Sequence, residues 1–146
     1  MGKFILGIHS GHDASACLMK DNKIICAIAK ERITRKKHDS GEPIECIEYI
    51  LSSYGLNKND IDLVIRCNWF DSSEINDNYY KCFKNVIIMK NHHLFHAYAA
   101  SLSIDTPESL IVIMDGRGCR PQDNGEKYNN NDLFETESIY LYKNSN

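Results

Sequence analysis

The chain has 146 residues, of which 42% are hydrophobic and 25% charged, with a net charge of −3. That is the composition of an ordinary soluble globular chain, one domain long or a piece of a larger domain. The charge gives no electrostatic argument for binding nucleic acid or an anionic membrane surface, and no apolar run approaches the roughly 18 residues of a membrane span.

The first strand is read at Phe4-Ile5-Leu6-Gly7-Ile8, a short apolar run. His9-Ser10-Gly11-His12-Asp13 is small and polar and turns the chain. Ala14 to Met19 is extended in character. Asp21-Asn22 forms a hairpin turn, because both residues tolerate positive φ. Lys23 to Ala29 returns, so the opening is a three-strand antiparallel meander. Its first turn, with Gly11, His12 and Asp13, has the makings of a phosphate cradle as well as of a plain hairpin turn.

Glu31 to Ser40 is the most charged run and reads as solvated surface, although Arg32, Arg35, Lys36 and Lys37 with Thr34 could equally line an anion pocket. A helix is predicted between Pro43 and Gly55, with Ile44, Ile47, Ile50, Leu51 and Tyr54 as its apolar stripe. Ile61 to Ile65 is the next strand. Ser72 to Asn85 has weak helical periodicity through Ile75, Tyr79 and Phe83, and Trp69 and Phe70 are read as packing residues.

Val86 to Met89 is a strand feeding a helix capped by Asn91. On that helix His92 and His96 stand four residues apart, on one face. Two imidazoles at that spacing can grip one divalent metal, but no Glu follows the first His, so a zinc-protease reading fails. Two solvated histidines on a capped helix are the bland alternative. Ala97, Ala99, Ala100 and Ser101 give the helix a small face for close packing. Leu110 to Met114 reads as a strand buried on both faces, ending in Asp115-Gly116. Residues 119–135 are expected to be a mobile loop. Ser138 to Tyr142 alternates like a half-buried strand, and its place at the chain end suggests truncation. The six cysteines form no C-x-x-C pair and read mostly as small buried hydrophobes in a reducing, cytoplasmic setting.

Three segments in order, Gly7-Ile8-His9-Ser10-Gly11-His12-Asp13-Ala14-Ser15-Ala16, Glu31-Arg32-Ile33-Thr34-Arg35-Lys36-Lys37-His38-Asp39, and His92-His93-Leu94-Phe95-His96-Ala97 followed by Asp115-Gly116, resemble the N-terminal part of the nodulation-type O-carbamoyltransferases. The resemblance runs from residue 3 to about 118, with a weaker match at 136–142. It implies an α/β fold, the first half of an actin-like or ribonuclease-H-like ATPase fold, with the meander followed by alternating helices and strands in a mixed sheet. Residues 1–146 would form one partial N-terminal domain.

The resemblance also implies the chemistry. A carbamoyl group made into carbamoyl-adenylate from ATP and carbamoyl phosphate, on a second domain beyond this chain, would pass to a hydroxyl of a sugar or natural product. His92, His96 and Asp115 would hold a divalent metal, iron, with zinc or manganese as alternatives. His12 would be the base and Asp13 its orienting group. Gly11, Arg35, Lys37 and Gly116 would bind the donor. Gly118-Cys119-Arg120-Pro121-Gln122-Asp123 departs from the short Gly-Glu and small-hydroxyl run usual after the Asp-Gly. Without the second half of the cleft, the chain alone is expected to be inactive. Two further readings stand beside this one: a non-catalytic half-domain that associates with a partner chain or with itself, and an actin-like phosphotransferase. None calls for nucleic acid or membrane.

Overall fold

The computed structural model describes residues 2–67, 77–120 and 134–143. The chain divides into two compact units, Met1–Met89 and Lys90–Asn146.

The first unit is built on a five-stranded sheet of β1 (Phe4–His9), β2 (Ser15–Lys20), β3 (Lys23–Ala29), β4 (Leu63–Cys67) and β5 (Val86–Met89). The order across the sheet is β3-β2-β1-β4-β5. β1, β2 and β3 pair antiparallel, whereas β4 lies parallel to β1 and β5 parallel to β4. The meander is therefore as expected, and Asp21 and Asn22 take φ of 49° and 62° at its tight turn. The parallel half needs crossovers. The first contains α1 (Lys30–Thr34) and α2 (Ile44–Ser53), and the second contains α3 (Asp77–Tyr80).

Alternation along the strands sends Leu6, Ile8, Ala16, Leu18 and Val64 to one side, where Cys46, Ile47, Ile50 and Leu51 of α2 cover them. Burying a side chain such as Leu or Ile contributes about 1.5–3 kcal/mol, so this layer is the main stabilising term of the unit. Tyr54, the last residue of the predicted stripe, is 44% exposed and instead donates its hydroxyl to Ile25 O at 2.6 Å.

Some expectations shift. α1 falls inside the charged run, which the sequence reading left without an element, and it stays free of buried residues. β4 starts two residues later than expected. Lys58–Asp60 forms a 3-10 turn with a reciprocal Asn57–Asp60 capping box, and the Asp62 carboxylate accepts from Phe4 N at 2.8 Å. Asp62 N also donates to Phe4 O at 2.9 Å, so the segment meets β1 just before the strand begins. Ile75, Trp69 and Phe70 lie outside the described residues.

The second unit holds α4 (His92–Ser101), β6 (Glu108–Met114) and β7 (Glu137–Lys143), with β6 and β7 paired as an antiparallel ribbon. The Asn91 side chain caps α4 by accepting from Leu94 N at 2.9 Å. Ala97 is buried as expected, while Ala99 and Ala100 are exposed. β6 is not buried on both faces. Leu110, Val112 and Met114 are 69%, 56% and 77% exposed, and Ile139 and Leu141 lie open beside them. The run is apolar throughout, but only the face that carries Ile111 is covered. The expected mobile loop at 119–135 falls mostly at 121–133, outside the described residues. Its two ends are stitched together, Gly118 N to Glu135 O at 2.6 Å and Glu135 N to Cys119 O at 2.9 Å.

Candidate metal centre and imidazole–carboxylate cluster

On α4 the i, i+4 spacing brings His92 and His96 to one face, with their Nε2 atoms 3.0 Å apart. Asp115, just past the end of β6, turns its Oδ2 to both: 2.8 Å from His92 Nε2 and 3.4 Å from His96 Nε2. Its other oxygen accepts from Gly116 N at 2.6 Å, which fixes the carboxylate. His92 is nearly buried, and His96 is half exposed. Burial pushes the His92 imidazole below its ordinary value, against the pull of Asp115, so the ring is neutral near pH 7. Burial alone would raise Asp115, but the bonds from His92 and the Gly116 amide, with the two imidazoles, outweigh it and hold the carboxyl below its ordinary value.

Neutral imidazole and ionised carboxylate are the ligating forms of both groups. Two nitrogens and one carboxylate oxygen suit zinc or non-haem iron(II). Ligand bonds of about 2.0–2.2 Å place neighbouring donors about 3–3.5 Å apart, close to the spacing these atoms already have. The residues fit the metal that the sequence reading assigned to them.

The support for this cluster comes from residues the sequence reading gave no role. His93 is fully buried, and its Nδ1 lies 2.7 Å from Ser138 Oγ on β7. Cys119 is buried, accepts from His92 N at 3.0 Å, and bonds Lys90 O through its thiol. Gly118 is required by close approach: a Cβ there would stand 2.5 Å from His93 Nε2 and 2.8 Å from Glu135 Cβ.

In the first unit a second cluster forms where the β1–β2 turn meets the segment after α1. Gly11 and Gly41 exchange both backbone hydrogen bonds, at 3.1 and 2.9 Å, and Ala14 N donates to Asp39 O at 3.2 Å. Gly41 has φ of 94°, which favours glycine at this crossing. These bonds bring Asp13 to two imidazoles: His12 Nδ1 at 3.0 Å from one oxygen and His38 Nδ1 at 2.7 Å from the other. His9 Nε2 donates to His12 O at 3.0 Å and holds the turn. The hydrogen bond from His12, followed by that from His38, holds the Asp13 carboxyl below its ordinary value, and Asp13 in turn raises His38.

Beneath this turn runs a buried polar network. Arg66, 1% exposed, donates to Glu42 Oε1 at 2.7 Å, and its guanidinium carbon lies 3.8 Å from the Tyr80 ring centre. The Tyr80 hydroxyl at 2.6 Å and the Ser10 hydroxyl at 3.2 Å both donate to Glu42 Oε2. Glu42 thus ties the turn to β4 and α3. Sequence offered little sign of this, since the partners lie 24–38 residues apart in pairs.

Of the expected site residues, His12 and Asp13 come together, and His92, His96 and Asp115 come together. Gly11 pairs with Gly41. Arg35 and Lys37 stand exposed on the segment after α1, and Gly116 donates to Asp115.

Comparison with known proteins bears on the family and the fold. The sequence model of a family described as "Carbamoyltransferase N-terminus" matches residues 4–81, just over half of the chain. An uncharacterised protein of Methanocaldococcus jannaschii is 37% identical over 118 residues, covering 78% of this chain and 22% of that protein. Nodulation protein NolNO of Sinorhizobium fredii is 26% identical over 134 residues, covering 73% and 20%. The chain thus spans about a fifth of the length of these two relatives. Among solved structures, YeaZ from Pseudomonas aeruginosa aligns over 94% of this chain and 67% of its own, with a TM-score of 0.50 at 8% identity. That likeness concerns the fold alone, which is of the actin-like, ribonuclease-H-like class.

Proposed function

Given that the chain belongs to the carbamoyltransferase N-terminal family, we propose that it forms the part of an O-carbamoyltransferase that passes the carbamoyl group of carbamoyl-adenylate to an acceptor hydroxyl. The observation that carries the reading is the convergence of His92, His96 and Asp115 on one point. These three would hold the metal, with iron first and zinc or manganese as alternatives. A metal bound there supplies Lewis acidity toward an acyl or phosphoryl oxygen.

The remaining chemistry falls to the residues of the first unit. His12 donates through Nδ1 to Asp13, which leaves Nε2 as the nitrogen that takes a proton. The acceptor hydroxyl oxygen forms a bond to the carbamoyl carbon. The bond from that carbon to the phosphate oxygen breaks, adenylate leaves, and the hydroxyl proton passes to His12. Asp13 stabilises the resulting imidazolium. Arg35 and Lys37, with backbone groups at Gly11 and Gly116, are assigned to the negative charge of the donor. The acceptor is a small hydroxyl compound, a sugar or natural product. An adenylate-forming domain would supply the donor, and residues 1–146 on their own are inactive. The setting is cytoplasmic. Among the described residues no helix is long and apolar enough to cross a membrane.

Metal analysis of the purified chain tests the centre. His92→Ala and His96→Ala should each lose bound iron or zinc, and equal metal content in all three proteins refutes the assignment. Incubation of the chain with ATP, carbamoyl phosphate and a polyhydroxyl acceptor should yield no carbamate ester. Product would overturn the claim that the chain is inactive alone.

A second reading is favoured by the open apolar face of the β6–β7 ribbon, where Leu110, Val112, Met114, Ile139 and Leu141 lie side by side. Such a face favours association with a partner chain or a second copy. A monomer at high concentration in size-exclusion chromatography would count against self-association.

A further inference from the structure

The proposed transfer makes no use of His38, yet His38 approaches Asp13 more closely than His12 does. The geometry points to His38 as a positioning residue that sets the basicity of His12 through the one carboxylate they share. This rests on the reading of His12 as the base.

The argument begins with the carboxylate. Each Asp13 oxygen receives one imidazole, His12 Nδ1 on Oδ2 at 3.0 Å and His38 Nδ1 on Oδ1 at 2.7 Å. A carboxylate has one unit of charge to stabilise two rings, so a proton gained by either ring weakens the support available to the other. The three side chains belong to segments far apart in sequence, and the backbone keeps them together. The paired bonds of Gly11 with Gly41 and the bond from Ala14 to Asp39 bracket the contact, and His38 N donates to Glu31 Oε2 at 3.0 Å. That lacing keeps the backbone of His38 beside the β1–β2 turn.

The charged and titratable groups around His38 are Asp13 and His12 from the β1–β2 turn, Glu31 from α1, and Lys36, Lys37 and Asp39 on its own segment. Asp13 holds the imidazole of His38 above its ordinary value, with a smaller contribution from Glu31. The sign follows. At lower pH His38 is cationic and offsets the Asp13 charge, so His12 is a weaker base. As pH rises through the raised value, His38 loses its proton and the charge of Asp13 supports His12 alone.

The test is an NMR titration of the imidazole protons, run with a chelator present, on the wild-type chain, His38→Gln, Asp13→Asn and the double variant. His38→Gln keeps a hydrogen-bond donor and removes the titrating charge. It should raise the His12 midpoint by about 0.5 pH unit or more, a threefold or larger change in proton affinity. In the Asp13→Asn background the same substitution should move His12 by less than about 0.2 unit. An unmoved His12 in His38→Gln overturns the inference, and so does an equal rise without Asp13. The amide signals of Ala14 and Gly41 report whether the two segments remain laced. Transfer activity of a full-length relative carrying His12→Ala is the separate check on the base. Full activity there refutes that reading while leaving the measured coupling between the rings intact.

Discussion

Replacing Glu42 by Gln removes a charge and leaves almost every atom in place, so its cost reports the worth of the polar network under the β1–β2 turn. Arg66 is 1% exposed and would keep its charge without a counter-charge. Removing one partner of a buried pair costs about 3–5 kcal/mol. The Glu42 side chain is 18% exposed, so the lower end applies, about 3 kcal/mol. The amide retains one oxygen for the Tyr80 and Ser10 hydroxyls, and those bonds weaken rather than vanish. With an m-value of about 1.5 kcal/mol/M for a unit of this size, the urea midpoint should fall by about 2 M. The double variant Glu42→Gln/Arg66→Met removes the orphaned charge and should recover at least half of that loss. A midpoint shift below about 0.5 M for Glu42→Gln, or a double variant less stable than the single, would refute the claim that the pair stabilises the turn.

Gly118→Ala should destabilise the second unit by about 1–3 kcal/mol, because the added methyl meets the His93 ring and Glu135 Cβ, and a lowered thermal midpoint checks it. Asn91→Ala removes the cap on Leu94 N and should cost about 1 kcal/mol, seen as lost helical circular dichroism on mild heating. Asp13 and Asp39 are both held below their ordinary value of 3.8, Asp13 by His12 and His38, Asp39 by Thr34 and the lysines at 36 and 30. Their contribution to stability is full above pH 3.8 and drains as the pH falls through the lowered values. Asp13→Asn/Asp39→Asn should therefore flatten the acid limb of the stability curve, and an unchanged slope below pH 4 would contradict the ion pairs.

The parts of the fold that were legible are those written in local periodicity. β1, β3, β5 and α2 come from short apolar runs and one stripe, and Asn91 announces α4 by its capping chemistry. The start of β4 was not legible, because Lys58–Asp60 closes a 3-10 turn and Asp62 bonds Phe4, 58 positions away, a contact that no window of sequence contains. β6 was misjudged for a different reason. An unbroken apolar run states that a strand is hydrophobic on both faces and not that both faces are covered. In the site, spacing on α4 exposed the His92–His96 pair, and the family resemblance, not local spacing, brought Asp115 to it. His38 sat within a quoted motif without a role, because its meaning depends on Asp13, which reaches it only through the Gly11–Gly41 crossing. Arg66 lies just past the expected strand Ile61–Ile65, and nothing local separates it from an exposed arginine.

The arrangement of the five-stranded sheet also sets how the first unit assembles. β1, β2 and β3 are joined by tight turns and can zip from neighbouring residues, whereas β4 meets β1 through pairs such as Ile5 with Leu63. Closing that long segment comes late, because its entropy cost precedes its contacts. Changes at the Asp21-Asn22 turn should therefore slow folding itself, while changes at Arg66 should chiefly hasten unfolding.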